Sequence, residues 1–187
     1  MSVVKNMESE IERIISKSEI PEDSRHSKNT RAWVLKLKPE ADIALQIAAL
    51  GHDIERSMKE LKIKRENYTD YNEFKMAHAR NSAKVLDDLL SKYDLNETIR
   101  YKISHLVSHH EFGGYPEANI LKDADSISYF DVNLPFYFQR NSRGETEFRI
   151  IWGYQRLSDE AKSIVRNFSY DNIELEAVFR DVVCEVR

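Results

Sequence analysis

With 187 residues the chain is long enough for one domain with a real hydrophobic core. A formal net charge of −4 argues against a nucleic-acid surface, and 5 Gly with 4 Pro argue against a turn-rich β protein. Cys184 stands alone, which excludes an intrachain disulfide, and neither a basic-then-apolar leader nor a membrane-length apolar run is present, so a cytoplasmic, membrane-free protein is expected.

The apolar spacing is helical nearly throughout. Val4, Met7, Ile11 and Ile14 line one stripe of a first helix, which Pro21 ends. A second begins near Ser24 with His26, Thr30, Trp33 and Leu37 on one face, and Pro39 closes it. The third is expected from about Glu40, with Ala41, Leu45, Ala48 and His52 aligned. Asp70 and Glu73 read as a capping box that opens a fourth helix carrying Phe74, His78, Val85 and Leu89. Asn96 caps a fifth, with Ile99, Ile103, Leu106 and His110 in register.

"EFGGYPEAN" is the clearest loop, and the helix after it groups Leu121, Asp125 and Ser128. Beyond Pro135 an exposed turn, "RNSRGE", leads into two or three more helices. The last carries Val178, Val182 and Val186, opened by Asp171 and Glu174 as a second capping pair. No repeat, low-complexity tract or linker interrupts the chain, so the fold expected is an all-α, single-domain helical bundle.

His26, His52, His78 and His110 each fall on the apolar stripe of their own helix, and Asp53 and Asp125 are placed similarly. One such histidine is ordinarily a hydrogen-bonded core residue. Four together make a very polar core unless they converge on something. Imidazole nitrogen with carboxylate oxygen is the donor mix suited to divalent transition metals, not to a calcium cage.

His26, then "HD" at His52–Asp53, His78, "HHE" at His109–Glu111 and "DAD" at Asp123–Asp125 form an ordered set. It resembles the HD superfamily of metal-dependent phosphohydrolases over roughly residues 20 to 135, leaving about 136 to 187 as a helical extension. The resemblance implies that His26, His52, Asp53 and Asp125 bind a first metal, while His78 and a member of the His109–His110 pair hold a second, with Asp53 bridging. One or two divalent ions per chain are expected, drawn from Mn, Fe, Co, Ni, Zn and Mg. In such enzymes a metal lowers the pKa of a bound water toward ~7, and a metal pair ~3.5–4 Å apart clamps the attacking and leaving oxygens.

Helical phase favours His110 over His109 as a ligand, but both stay in the set. His105 falls on the polar side of its helix, and Asp123 points away from Asp125. "HHEFGGYPEA" is also similar to the HD-GYP subgroup, which acts on cyclic di-GMP; a shorter loop and the absence of a lysine after "HD" count against that assignment.

Arg56 and Arg80 follow metal-type motif residues closely and are the candidates for binding phosphate, Arg56 also joining Asp53 as a catalytic candidate. Lys59, Lys62, Lys64 and Arg65 add a basic loop, although each lysine singly reads as solvated surface. Glu55 and Glu111 are candidates for proton transfer or for orienting a histidine. The aromatic stretch "FYFQRNSRGETEFRIIWGYQRLS" reads as core, as a contact between two copies of the chain, or as a roof over the site.

The leading expectation is hydrolysis of a small phosphorylated metabolite, most plausibly a nucleotide. A di-iron oxygenase on the same cage, and a non-catalytic metal- or nucleotide-binding module, are the alternatives.

Overall fold

In the computed structural model, which describes residues 3–185, ten α-helices follow one another with no strand among the described residues. They are α1 (Val3–Ile15), α2 (Asp23–Leu37), α3 (Ile43–Gly51), α4 (Tyr71–Leu90), α5 (Glu97–His109), α6 (Pro116–Ser128), α7 (Leu134–Arg140), α8 (Arg143–Gln155), α9 (Asp159–Val165) and α10 (Ile173–Glu185). The all-α expectation holds. No helix among the described residues is long and apolar enough to cross a membrane.

α3 explains the layout. Its sequence, "IALQIAALG", is apolar on almost every side, and a helix apolar all round belongs in the interior. α1, α2, α5 and α6 pack around it. Gly51 ends it where a Cβ would press on the Leu86 side chain, so the absence of one lets α4 lie close. Asp42 accepts a hydrogen bond from the Leu45 amide at 3.0 Å and starts the helix at Ile43, three residues after Glu40.

A second apolar cluster lies beyond α6. Ile127, Phe130 and Leu134 meet Ile150 and Tyr154 of α8, Ala161 and Val165 of α9, and Leu175, Val178, Phe179 and Val182 of α10. Trp33 and Leu37 of α2 touch both clusters and join them. Val186, expected on the α10 stripe, lies outside the described residues.

Several helix boundaries differ from the sequence expectation. Pro135 does not end a helix; a π-helical turn, Tyr129–Asn133, carries α6 on into α7, and Pro135 sits in the first turn of α7. The reciprocal capping box is Ser142 with Glu145, inside the stretch expected to be an exposed turn. At Asp70 only half of such a box forms, with the Glu73 amide donating to Asp70 Oδ1 at 2.8 Å. α10 is opened by Asn172 and not by Asp171: Asn172 Oδ1 accepts from both the Glu174 and Leu175 amides at 3.0 Å.

The "EFGGYPEAN" loop is shorter than it reads, because Pro116 already begins α6. Gly113 and Gly114 have φ of 71° and 118°, a region costly for any residue with a Cβ. Asn119 Oδ1 accepts from the Gly114 amide at 2.9 Å and occupies the space a Cβ on Gly113 would need. Gly113→Ala is therefore expected to lower unfolding stability by about 1–2 kcal/mol, the cost of a left-handed residue, read from urea denaturation.

Candidate metal centre

Two of the four buried histidines are placed by the same local device. His52 caps the C-terminus of α3 and donates Nδ1–H to the Ala49 carbonyl three residues back at 2.8 Å. His110 caps α5 and does the same to the Val107 carbonyl at 2.7 Å. A carbonyl only accepts, so each ring carries its proton on Nδ1, and the unprotonated Nε2 of the neutral ring faces inward.

The other two are oriented through side chains. Ser128 Oγ donates to the His26 carbonyl at 3.1 Å and so accepts from His26 Nδ1 at 2.9 Å. His78 Nδ1 donates to Glu55 Oε1 at 2.6 Å, while Glu55 Oε2 is fixed by the Ile63 amide at 2.7 Å and Asn81 Nδ2 at 2.9 Å. Glu55 is thus a histidine-orienting residue.

All four Nε2 atoms converge with carboxylate oxygens. His26 and His52 bring theirs within 3.2 Å of each other, with Asp125 Oδ1 at 3.1 Å from the first and 3.3 Å from the second. Asp53 Oδ1 lies 2.7 Å from His78 Nε2 and 3.7 Å from His110 Nε2, and its other oxygen lies 3.8 Å from His52 Nε2. His110 Nε2 is fully buried and has no hydrogen-bond partner. Glu111 Oε1 is 3.3 Å from it.

Electron-rich atoms do not gather in a core without a positive charge among them. Two groups stand out, His26–His52–Asp125 and Asp53–His78–His110, and a third combination joins His110, Glu111 and Asp125. These buried groups can hold a metal ion, and imidazole with carboxylate suits a divalent transition metal. Asp53 faces both principal groups, with Oδ1 toward His78 and His110 and Oδ2 toward His52.

The protonation equilibria reflect the same crowding. Burial pulls His52 downward, but Asp53 and Asp125 outweigh it and hold the ring up at about 9. Burial would raise Asp53, yet His52, Arg56 and His78 carry it well below the usual carboxylate range. His78 is raised because Asp53 and Glu55 exceed the cost of burial, whereas burial dominates at His110 and lowers it.

A cavity of about 260 Å³ opens onto the cluster at His26, Asp53 and Asp125. Arg56, Lys75, Arg140, Arg149 and Arg156 line it, together with Tyr129, Tyr137 and Trp152. Arg56 Nη1 donates to Asp53 Oδ2 at 2.7 Å and its Nη2 lies 3.3 Å from Asp23 Oδ1. Arg156 reaches Glu111 Oε2 at 2.9 Å, Asp125 Oδ2 at 3.3 Å and the His110 carbonyl at 2.8 Å. Lys75 pairs with Glu111, and Arg140 with Glu22.

Arg149 is different. It has four aromatic neighbours and no carboxylate, and burial with the like charges of Arg56 and Arg156 depresses it to about 9, still cationic near neutrality. Burial, with Tyr137 next, pushes the Tyr129 phenol well above its ordinary value and keeps it an O–H donor.

The structure does not bring every expected residue together. His109 turns away: its Nδ1 sits 2.8 Å from the His105 carbonyl, and its ring packs against His105 and Tyr115. A helix advances about 100° per residue, so adjacent histidines cannot both face the cluster here. Arg80 is exposed and lies outside the cavity, two positions past His78 on the solvent side of α4. His105 is half-buried under Tyr115, at 2.9 Å from its hydroxyl, and Asp123 accepts from the Ser158 amide at 3.1 Å, tying α9 to α6. Of the basic loop, Lys59 pairs with Glu19 in solvent, while Lys62 lines a smaller cavity shared with Arg56 and Arg149.

Sequence reasoning missed Lys75, Arg140, Arg149 and Arg156. For the last two a signal existed: Arg149, Trp152 and Arg156 are three and four residues apart, one helix face inside the aromatic stretch.

The fold and cluster define a helical domain with a buried histidine–carboxylate centre under a cation-lined cavity. The chain belongs to the family described as a domain of unknown function (DUF4202), whose model matches residues 5–178. No curated protein and no solved structure matches the chain.

Two measurements test the centre. His78→Ala is expected to cut bound Mn or Co from about two ions per chain to about one, by elemental analysis after reconstitution; complete loss would place His78 in a single shared site. Because His52 is held at about 9, the metal-free ring is protonated near neutrality, so uptake must expel that proton. Calorimetry in buffers of differing ionisation enthalpy should show about one proton released, and affinity rising with pH up to that value.

Proposed function

We propose that the chain is a metal-dependent phosphohydrolase of the HD type, acting on a small phosphorylated metabolite, nucleotides included. The observation that carries this reading is the cation-lined cavity over the histidine cluster, in a chain whose formal net charge is −4. Five cations face four carboxylates around it, and any metal ion adds to the positive side. A cavity of that character recruits an anion. An oxygenase acting on a neutral substrate has no use for such a lining, which favours phosphate chemistry over the oxygenase alternative.

In this reading His26, His52 and Asp125 would hold one ion, and His78 and His110 a second, with Asp53 serving both. When bound, such ions supply a hydroxide-forming water and a sink for phosphoryl negative charge. The chain's own groups do the positioning. Four outward hydrogen bonds hold the rings through Nδ1, so each Nε2 already faces the centre, and at His52 that nitrogen would ligate once its proton had left. Arg56 holds Asp53, and Arg156 holds Asp125 and Glu111. Each guanidinium has five N–H donors, which leaves others to meet phosphate oxygens. Trp152 and Tyr137 wall the cavity.

A panel of nucleotides and small phosphate esters, assayed anaerobically for phosphate release with Mn, Co, Ni and Fe(II), tests the proposal. Asp53→Asn keeps the size of the side chain but removes its charge. It is expected to retain wild-type helical circular dichroism and to lose metal-dependent phosphate release by at least ~100-fold, the scale for removing a main electrostatic element. Near-wild-type turnover in that variant, or metal-dependent oxygen consumption without phosphate release, would overturn the reading.

A further inference from the structure

Four of the five cations around the cavity already face a carboxylate: Arg56, Arg140, Lys75 and Arg156. Arg149 does not. It makes no hydrogen bond or ion pair with any described residue, and its Nε is buried without a partner. The rings of Tyr71, Tyr129, Tyr137 and Trp152 surround the guanidinium with centroids 5.0 to 5.7 Å from its central carbon. Their negative faces offset part of the cost of burying a charge, but a ring accepts no strong hydrogen bond from an N–H.

Two further polar atoms on the cavity wall lack partners. The Tyr129 hydroxyl and Asn133 Oδ1 are both buried and unbonded. Arg156 Nε and the Glu111 oxygens on the same wall also lack hydrogen-bond partners, but those two side chains form an ion pair with each other. Buried polar groups are nearly always satisfied, so the orphans on Arg149, Tyr129 and Asn133 point to a ligand that satisfies them. Guanidinium and phenol are donors, and an Asn amide turned about its last bond presents N–H as well. Together they describe an anion's partners.

We propose that Arg149, Tyr129 and Asn133 form a second anion subsite, so that the substrate carries a further phosphoryl or carboxylate group besides the phosphoester at the histidine cluster. The assignment of the first group rests on the phosphohydrolase reading. The second is separate because Arg56 and Arg156 pair with carboxylates of the cluster, whereas the Arg149 guanidinium makes no hydrogen bond or ion pair with any of that cluster's side chains. The aromatic rings are committed to the guanidinium and to one another, which leaves a compact bis-anion a better match than a stacked base.

The test is calorimetry on Mn-loaded protein with four probes: methyl phosphate, phosphoglycolate, glycol bisphosphate and AMP. Either bis-anion is expected to bind at least about tenfold tighter than methyl phosphate, about 1.4 kcal/mol. Glycol bisphosphate and phosphoglycolate distinguish a phosphoryl from a carboxylate partner. Arg149→Met should remove that advantage, weakening both bis-anions at least about fivefold more than methyl phosphate with metal content unchanged, and Arg149→Lys should restore part of it. Circular dichroism and a thermal melt check folding; should Arg149→Met misfold, Asn133→Leu and Tyr129→Phe carry the same expectation.

Equal binding of mono- and bis-anions by the wild type, tighter binding of AMP than of either bis-anion, or equal weakening of all probes by Arg149→Met would overturn the subsite. Arg149-dependent bis-anion binding with no phosphate release from any ester would keep the subsite and sink the hydrolase reading instead.

Discussion

Four imidazole rings and the carboxylates among them occupy the interior of a helical protein, where water cannot screen their charges and each must be balanced by a neighbour. Everything around them answers that constraint. Each ring is held from behind, by a carbonyl, a serine or a glutamate, so that it cannot rotate to find a partner elsewhere. Such fixed orientation costs side-chain and backbone freedom that the apolar packing of α3 and its neighbours must offset. The helix ends at Gly51 and His109 fall where the rings of His52 and His110 can cap them and still reach the centre.

The second apolar cluster serves the same centre from the other side. α7 and α8 rest on it and turn Arg140, Arg149, Trp152 and Arg156 toward the cavity. Positive charge from this half meets the carboxylates of the first half: Arg140 reaches Glu22, and Arg156 reaches Glu111 and Asp125. The residues beyond 135 complete the site, and the boundary near 135 marks no break, since the chain runs from α6 through a π turn into α7 without leaving helical geometry.

The helical periodicity made the architecture and the inward histidines legible, because a ring on an apolar stripe is costly wherever the stripe is buried. His26, His52, His78 and His110 all lie at or below 3% exposure. Their ordering along the chain also made the metal-type grouping legible before any geometry. Arg149 and Arg156 shared a helix face with Trp152, but that spacing alone did not place them, because an arginine beside aromatics has the same sequence signature on a surface as in a cavity. Nor was the loss of His109 and Arg80 fixed by motif proximity; both sit next to or near a core histidine, and helical rotation carries them away. Caps were the weakest reading, since Asn172 and Asp171 are chemically interchangeable there and only backbone placement decides between them.

Trp33 and Leu37 belong to both apolar clusters, and Trp33 Nε1 also donates to Asp131 Oδ2 at 3.2 Å. Tyr170 bonds the Phe130 carbonyl at 2.9 Å and Ser158 bonds Asp123, so the helices over the cavity are stitched to the helices beneath it. Swinging them away as a flap would open the second core, which Trp33 and Leu37 couple to the first. A chamber held from both sides in this way is preorganised, and a molecule that matched it would spend little of its binding energy on rearranging its host.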